Sequence, residues 1–474
     1  MMRDSLFKKI LIFFFIINLL RLIFTMFTGT SAMADELEHI HASWLVWNGQ
    51  IPYIDFFEHH HSLIWYIFAP LVGWLEGNIL VFFIIRGFIL VCSLITLYIV
   101  FKLITKYLSD DTAAWLALNI FCFSSAMLNA MVQFKPDIFM HLFFWLGTYY
   151  LFVYINEKKQ KQINISAICY TISFCFLQTA LFLILPLIPV ILILLYNRKL
   201  HISSCLKAAI FPIILLSMFL GGLWLSGSLQ RYYELNWVVN SKISATLDTV
   251  KIVNFSDFYL ILFCGLLSVG YLLYTKSYKT IYIIVLMYIC ELLLRTFYVS
   301  IALYYFKMLL LYNAILIGIA LSRIISQKRP LAYIITLLFI PALFQIYPWQ
   351  HDNSENKDIH VTTILAIITD ITKNTSSNDT VLGTAMMPFG IYNQNPHYYW
   401  FSWDYIGKID EELYHYAEPF DINKIITDIR PKFVYFEKDL VPNYTPQSQY
   451  DIDTSLLKQH YHNAKYNTLY LLNE

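Results

Sequence analysis

Apolar stretches of about 18 or more residues recur along this chain, and each is long enough to cross the hydrocarbon of a bilayer. They fall near 9–27, 80–101, 112–132, 138–155, 163–178, 180–196, 205–226, 257–275, 280–297, 304–325 and 331–347. In lipid, a backbone must satisfy its own polar groups, so such runs fold as helices. The expected fold is therefore mainly α: a polytopic membrane protein of about eleven transmembrane helices. The two runs flanking Gln178 read either as two spans or as one kinked helix. Only 14% of residues are charged, against about a quarter in soluble domains.

Basic residues orient the bundle, because cytoplasmic loops collect Lys and Arg. Alternate ends carry Arg3, Lys8 and Lys9; Lys102 and Lys106; Lys158, Lys159 and Lys161; Arg198 and Lys199; Lys276 and Lys279; and Arg323, Lys328 and Arg329. All fall on one side if the N-terminus is cytoplasmic. Ala32-Met33-Ala34 resembles a signal-peptidase site, but the run before it is long and contains Asn18 and Arg21, which favours an uncleaved anchor. The net charge of +1 says nothing about partners; the bilayer is the partner this composition demands, and no nucleic-acid partner is expected. The seven cysteines lie in or beside predicted spans, with no disulfide framework or metal-ligand spacing.

Composition changes near Pro348, where Asp352–Asn356 form a polar linker. Two domains follow from this: a transmembrane unit over 1–348 and a small extracytoplasmic α/β domain over 349–474. In the latter, 359–373 and 422–429 have helical patterning, the second ended by Pro431. Residues 380–385, 433–436 and 468–472 read as strands. No glycine-rich phosphate loop is present.

The first outer loop, 28–79, concentrates the chemistry. It contains no Lys or Arg but six acids: Asp35, Glu36, Glu38, Asp55, Glu58 and Glu76. Leu37, Ile40, Trp44 and Trp47 recur at helical spacing, as in a helix lying on a membrane surface. Asn48-Gly49 ends it and Pro52 keeps it ended. Leu63–Leu75, broken by Pro70, reads as a second surface helix. Another outer loop runs from about 227 to 256.

Acids beside hydrocarbon ask for a reason. Asp35 and Glu36 read as catalytic carboxylates able to take a proton from an acceptor. The alternative is a capping box, with Asp35 as N-cap and Glu38 three residues on. Asp137 in Lys135-Pro136-Asp137 reads as a second carboxylate on the same cavity, or as a favourable acid in a helix first turn. Glu58, His59 and His60 are candidate ligands for a divalent metal; interfacial packing of the histidine run is the plainer reading. Arg86, Arg295 and Lys307, with Arg21, fall in or beside outer halves of spans. They suit a lipid phosphate or an ion pair with a buried acid such as Glu291 or Asp137. Tyr304 and Tyr305 add phenolic hydroxyls beside Lys307.

Together these motifs resemble the GT-C class of membrane glycosyltransferases. The similarity is to the family 39 group, which holds the protein O-mannosyltransferases and the bacterial lipid A aminoarabinose transferase. Asp35-Glu36, Gly49-Gln50-Ile51-Pro52-Tyr53 and Asp55-Phe56-Phe57-Glu58-His59-His60-His61-Ser62-Leu63 match its first outer loop. Lys135-Pro136-Asp137 matches its second. Ser62 stands where many relatives have Pro, and Gln178-Thr179 replaces a Lys-rich signal. The resemblance implies an inverting transferase in the bacterial inner membrane, using a sugar on a polyprenyl phosphate and an envelope acceptor that is a lipid, a glycan or a protein. Asp35 would be general base; His59, His60, Lys135, Arg86, Arg295, Tyr304, Tyr305 and Lys307 would serve the donor phosphate. No cofactor is required beyond a possible divalent metal. The competing readings are a transporter or flippase, or a polymerase or ligase, of lipid-linked glycans.

Overall fold

The structure is a computed structural model that describes residues 2–28, 33–123, 125–241, 256–275, 281–298, 307–327, 330, 334, 361–383, 390–394, 422–435, 453–464 and 469–473. The N-terminal part is helical throughout: α1 (Met2–Thr28), α2 (Met33–Trp47), α3 (Leu63–Trp74), α4 (Leu80–Leu103), α5 (Asp111–Phe123), α6 (Ser125–Ala130), α7 (Pro136–Glu157), α8 (Gln160–Phe176), α9 (Leu181–Ile184), α10 (Leu187–Tyr196), α11 (Ile202–Leu225) and α12 (Leu229–Tyr233). Longer helices follow at Ser256–Tyr274, Ile281–Tyr298 and Lys307–Gln327.

Among the described residues, six helical stretches are long and apolar enough to cross a membrane: Leu6–Thr28, Leu80–Leu108, Pro136–Glu157, Gln178–Tyr196, Ile202–Leu225 and Leu309–Gln327. This is an integral membrane protein. Helix α4 shows how sequence sets its faces. Ile84, Phe88, Val91, Ile95 and Tyr98 are exposed at three- and four-residue steps, forming a lipid-facing stripe. Ile85, Arg86, Ile89, Ser93, Thr96 and Val100 are buried on the other side.

The helices differ in places from the runs read in the sequence. The stretch 112–132 is helical over Asp111–Phe123 and Ser125–Ala130, on either side of residue 124, which lies outside the described residues. The runs around Gln178 are separate elements, because Leu177 is extended (φ −159°, ψ 132°) and closes α8. Helix α3 continues through Pro70 instead of breaking there; proline costs one intrahelical hydrogen bond. The run 331–347 lies outside the described residues apart from Ile334.

Between lipid-embedded helices, association rests on close contact rather than on the hydrophobic effect. Helix α5 and the Lys307–Gln327 helix meet at Gly318, where an added Cβ would stand 2.6 Å from the Ala113 carbonyl oxygen and 2.8 Å from the Ala117 nitrogen. Only glycine allows that approach.

The C-terminal elements begin with the helix Val361–Asn374, whose Val361, Ile364, Leu365, Ile368 and Ile371 are buried on one stripe. A four-stranded mixed sheet follows, β1 (Val381–Gly383), β2 (Phe433–Tyr435), β3 (Tyr461–Asn463) and β4 (Leu469–Leu472), in the order β1-β2-β4-β3. Strands β1 and β2 are parallel, with Val381 opposite Phe433; β4 runs antiparallel to β2 and β3. The strands read at 380–385, 433–436 and 468–472 are present, and β3 is an addition. Residues 390–394 reach back to the first outer loop. Gln50 Nε2 donates to Gln394 Oε1 (3.0 Å), His41 Nδ1 lies 3.2 Å from the Ile391 carbonyl, and the Tyr392 hydroxyl donates to the carbonyls of Leu75 and Asn78 (3.2 Å each).

Candidate active site

Helix α2 builds the site. Leu37, Ile40 and Trp44 are fully buried, so the helix is seated by its apolar stripe, while Trp47 at its end is half exposed. Asn48 and left-handed Gly49 (φ 84°) terminate it. Asp35 and Glu36 lie in its first turn. Asp35 is therefore not the N-cap of a capping box: the helix already runs from Met33. An acid in the first turn still meets the positive end of the helix dipole.

The two neighbouring acids point into different surroundings. The Glu36 side chain is fully buried. Its oxygens accept from Arg86 Nε (2.9 Å) and Nη2 (2.5 Å) and from the Phe134 backbone N–H (2.9 Å). Arg86 also donates to the Met26 carbonyl (2.8 Å) and lies 4.2 Å above the Phe82 ring. Arg86 therefore pairs with Glu36, fifty residues away, an acid that the sequence reading did not offer as its partner. Planar guanidinium and carboxylate match in a two-pronged pair. Grouped with Asp35 as a catalytic acid from sequence, Glu36 instead has the geometry of a strut joining α2, α4 and the chain before α7.

Asp35 keeps an open face, with 39% of its side chain exposed, and pairs with Lys135, of which only 7% is exposed. Lys135 is extended and Pro136 opens α7, so Asp137 sits in the first turn as expected. Lys135 and Asp137 line one cavity of about 50 Å³, together with Ser93, Thr96 and His141; that is room for a few waters. Lys135 thus faces Asp35 on one side and shares this cavity with Asp137 on the other.

A second cluster lies one turn further along α2. Glu38, Glu58, His59 and His60 each bring one possible ligand atom within 4.8 Å of the others. Glu58 Oε2 is 3.2 Å from His60 Nδ1 and accepts from the His59 N–H at 3.2 Å. Loss of water and the neighbouring carboxylates of Glu58 and Asp35 raise the proton affinity of Glu38 well above the usual carboxylate range, and Lys135 works against this. Burial, with His60 and Lys135 nearby, lowers His39 well below the usual imidazole range. His39 is thus neutral, and its Nδ1 accepts from Trp65 Nε1 (3.2 Å).

The backbone of the histidine run is clamped from several elements. The Tyr53 hydroxyl donates to the His60 carbonyl (2.6 Å), and Gln178 Nε2 (3.2 Å) and Asn240 Nδ2 (2.8 Å) donate to that of His59. Asn236, with its amide oriented by the network, donates to the same two carbonyls at 3.1 and 3.2 Å. Tyr53 is buried with a left-handed backbone (φ 70°), a strained state for a bulky residue that surrounding contacts must hold. His61 is buried between the Phe174 carbonyl (2.9 Å from Nδ1) and the Tyr232 hydroxyl (2.8 Å from Nε2); burial lowers its pKa to about 3. It faces away from the metal-type cluster.

Sequence reading missed the joining residues. Glu38 was legible only as an acid, and Tyr53 only as part of a turn. Gln178 stood out only as a departure from the family pattern, and Tyr232, Asn236 and Asn240 carried no local signal, because their partners in the histidine run are more than a hundred residues away. Asp55 proves to be a turn acid, accepting from the Ile51 N–H (2.6 Å), and Glu76 accepts from Trp44 Nε1 (2.9 Å). Arg295 lies on the helix Ile281–Tyr298 and Lys307 opens the helix Lys307–Gln327. Their side chains, with all of Tyr304 and Tyr305, lie outside the described residues.

Residues 61–224 match the family described as dolichyl-phosphate-mannose-protein mannosyltransferase. This stretch begins at the last histidine of the run and contains Arg86, Lys135 and Asp137. No curated protein matches the chain. Residues 61–224, about a third of the chain, are thus similar to a family of membrane glycosyltransferases.

Proposed function

We propose that the protein moves a sugar from a polyprenyl-phosphate donor to an envelope acceptor on the outer face of a bacterial inner membrane. The acceptor is a lipid, a glycan or a protein. The N-terminus is cytoplasmic in this reading, and the first outer loop and residues 349–474 are extracytoplasmic. The observation that carries the reading is the Asp35–Lys135 pair: a carboxylate with an open face, next to a buried ammonium that also lines the cavity holding Asp137.

Asp35 is the general base. It takes the proton from the acceptor hydroxyl or amine as that atom forms its bond to the anomeric carbon. The bond from the anomeric carbon to the phosphate oxygen breaks on the opposite face, the configuration inverts, and lipid phosphate departs with the electron pair. Lys135 orients Asp35 and offsets negative charge near the leaving phosphate. Asp137, on the far side of Lys135, is the second carboxylate of the site. Glu36 and Arg86 are positioning residues that anchor the first turn of α2. Arg295, Tyr304, Tyr305 and Lys307 are candidates for the donor phosphate on the strength of the resemblance alone.

The test supplies purified protein in lipid with a panel of polyprenyl-phosphate sugars and an envelope extract, with transfer followed by mass spectrometry. Wild type transfers one sugar with inversion, and Asp35→Asn inserts and folds but does not transfer. Full transfer by Asp35→Asn removes it as the base. An unchanged rate in Asp137→Asn removes Asp137 from the site.

A further inference from the structure

We propose that Glu38, Glu58, His59 and His60 form a binding site for one divalent cation of the zinc class. The proposal goes beyond the transfer reaction and does not depend on it. One ligand atom from each residue already lies within 4.8 Å of the other three. An ion bound at about 2.0–2.2 Å holds four such ligands about 3.3–3.5 Å apart. The Glu58 Oε2 and His60 Nδ1 atoms stand at 3.2 Å, close to the separation of two ligands on one metal. Small rotations of Glu38 and His59 bring in the other two.

The donor set has a chemical preference. With an ion bound and Glu38 having given up its proton to it, two carboxylate ligands supply two negative charges, matching a dication, and the two imidazoles add uncharged nitrogen donors. Imidazole suits zinc and its transition-metal neighbours, whereas magnesium and calcium favour oxygen alone. A metal site also needs a supporting frame. Here Tyr53, Gln178 and Asn240 fix the carbonyls of His59 and His60, so the two imidazoles are presented from a braced turn.

Glu58, His59 and His60 offer three ligands from consecutive residues. The fourth, Glu38, comes from α2 and changes what the site does. Glu38 stands three residues beyond Asp35 on the same helix. An ion held by Glu38 and the histidine turn ties α2 to that turn and fixes the aim of Asp35. The metal is then a positioning element, separate from the reacting atoms.

Full-length protein purified in detergent and stripped with a chelator would be titrated with Zn²⁺ alone, with no sugar donor present. The expected result is one zinc per chain by calorimetry and elemental analysis. Glu38→Gln and His60→Asn should each weaken binding at least tenfold, while Asp35→Asn binds like wild type. Replacement of zinc by Co²⁺ in wild type should give visible bands of mixed nitrogen and oxygen ligation, and Zn²⁺ should raise the melting temperature of stripped wild type. Sub-stoichiometric zinc in wild type, unaltered affinity in Glu38→Gln, or no Co²⁺ bands would overturn the site. Because the readout is metal binding, its failure leaves the transfer reaction standing, and loss of transfer leaves the site standing.

Discussion

Two regions of this molecule handle charge in opposite ways. In the C-terminal sheet region, the ion pair of Lys432 with Asp379 (3.1 Å) is open to water, with 41% and 32% of the side chains exposed. Backbone and hydroxyl bonds from Ser376 take part in holding Asp379 ionised, the backbone bond being the largest cause of its lowered pKa. In the first outer loop, Glu36 and Arg86 form a pair that is 0% and 1% exposed, Lys135 is buried against Asp35, and Glu58 is buried beside two histidines. Exposed pairs contribute little and are easily exchanged. Buried charges are costly to leave unpaired, so a cluster of them beside a membrane marks a place where geometry is specified. The contrast separates charges that decorate a surface from charges that build a site.

The sharpest test of the contrast is Asp35→Asn. Sugar transfer should fall by about 10²–10⁴-fold, the usual contribution of a general base, while thermal unfolding in detergent stays close to wild type. A large loss of stability instead would place Asp35 with the struts. The next effect belongs to the strut itself. Arg86→Leu leaves Glu36 buried without its partner and should cost about 3–5 kcal/mol of stability, read as a lowered melting temperature. An unchanged melting temperature would show that the pair is not holding α2 to α4.

These two predictions rest on features of unequal legibility. The helical runs were readable because lipid leaves few alternatives to an apolar helix. Helix α2 was readable from Leu37, Ile40, Trp44 and the Asn48-Gly49 stop, and the C-terminal strands from short apolar runs between turns. The Glu36–Arg86 pair was not, because a buried acid and a buried base fifty residues apart carry no mark of their mutual contact; Glu291 and Asp137 were equally plausible partners. The break at Leu177 was hidden for a different reason: it contains neither glycine nor proline, and tertiary contacts impose it. Pro70 misled in the other direction, since a short helix absorbed it. In the site, Asp35, Lys135 and Asp137 were legible as residues, but the link through Lys135 and the closeness of Glu38 to the histidine run depend on the fold.

Acid sensitivity sharpens the comparison at intermediate size. His41, on α2, is buried and its pKa is lowered to about 4 from 6.5, burial dominating over the opposing hydrogen bond to the Ile391 carbonyl. Between these values the unfolded chain binds a proton that the native histidine does not, so stability falls as pH drops from 6.5 towards 4 and levels off below. The full change is roughly 3 kcal/mol. Replacing His41 with Gln should flatten melting temperature against pH across that window; an identical slope would assign the sensitivity to other groups. The smallest effect belongs to the exposed pair. Lys432→Met should change stability by about 1 kcal/mol or less, and a larger change would mean that the surface pair does structural work.

The strap formed by residues 390–394 has a consequence for the order in which the protein matures. Those residues emerge from the ribosome long after the helix that bears Asp35, yet they supply a carbonyl to His41, a side-chain amide to Gln50 and a hydroxyl donor to the turn after α3. The packing around the loop that follows α1 is therefore completed by chain that is made late. A nascent chain already threaded into the bilayer lacks these contacts to its own first loop until residues 390–394 have been made.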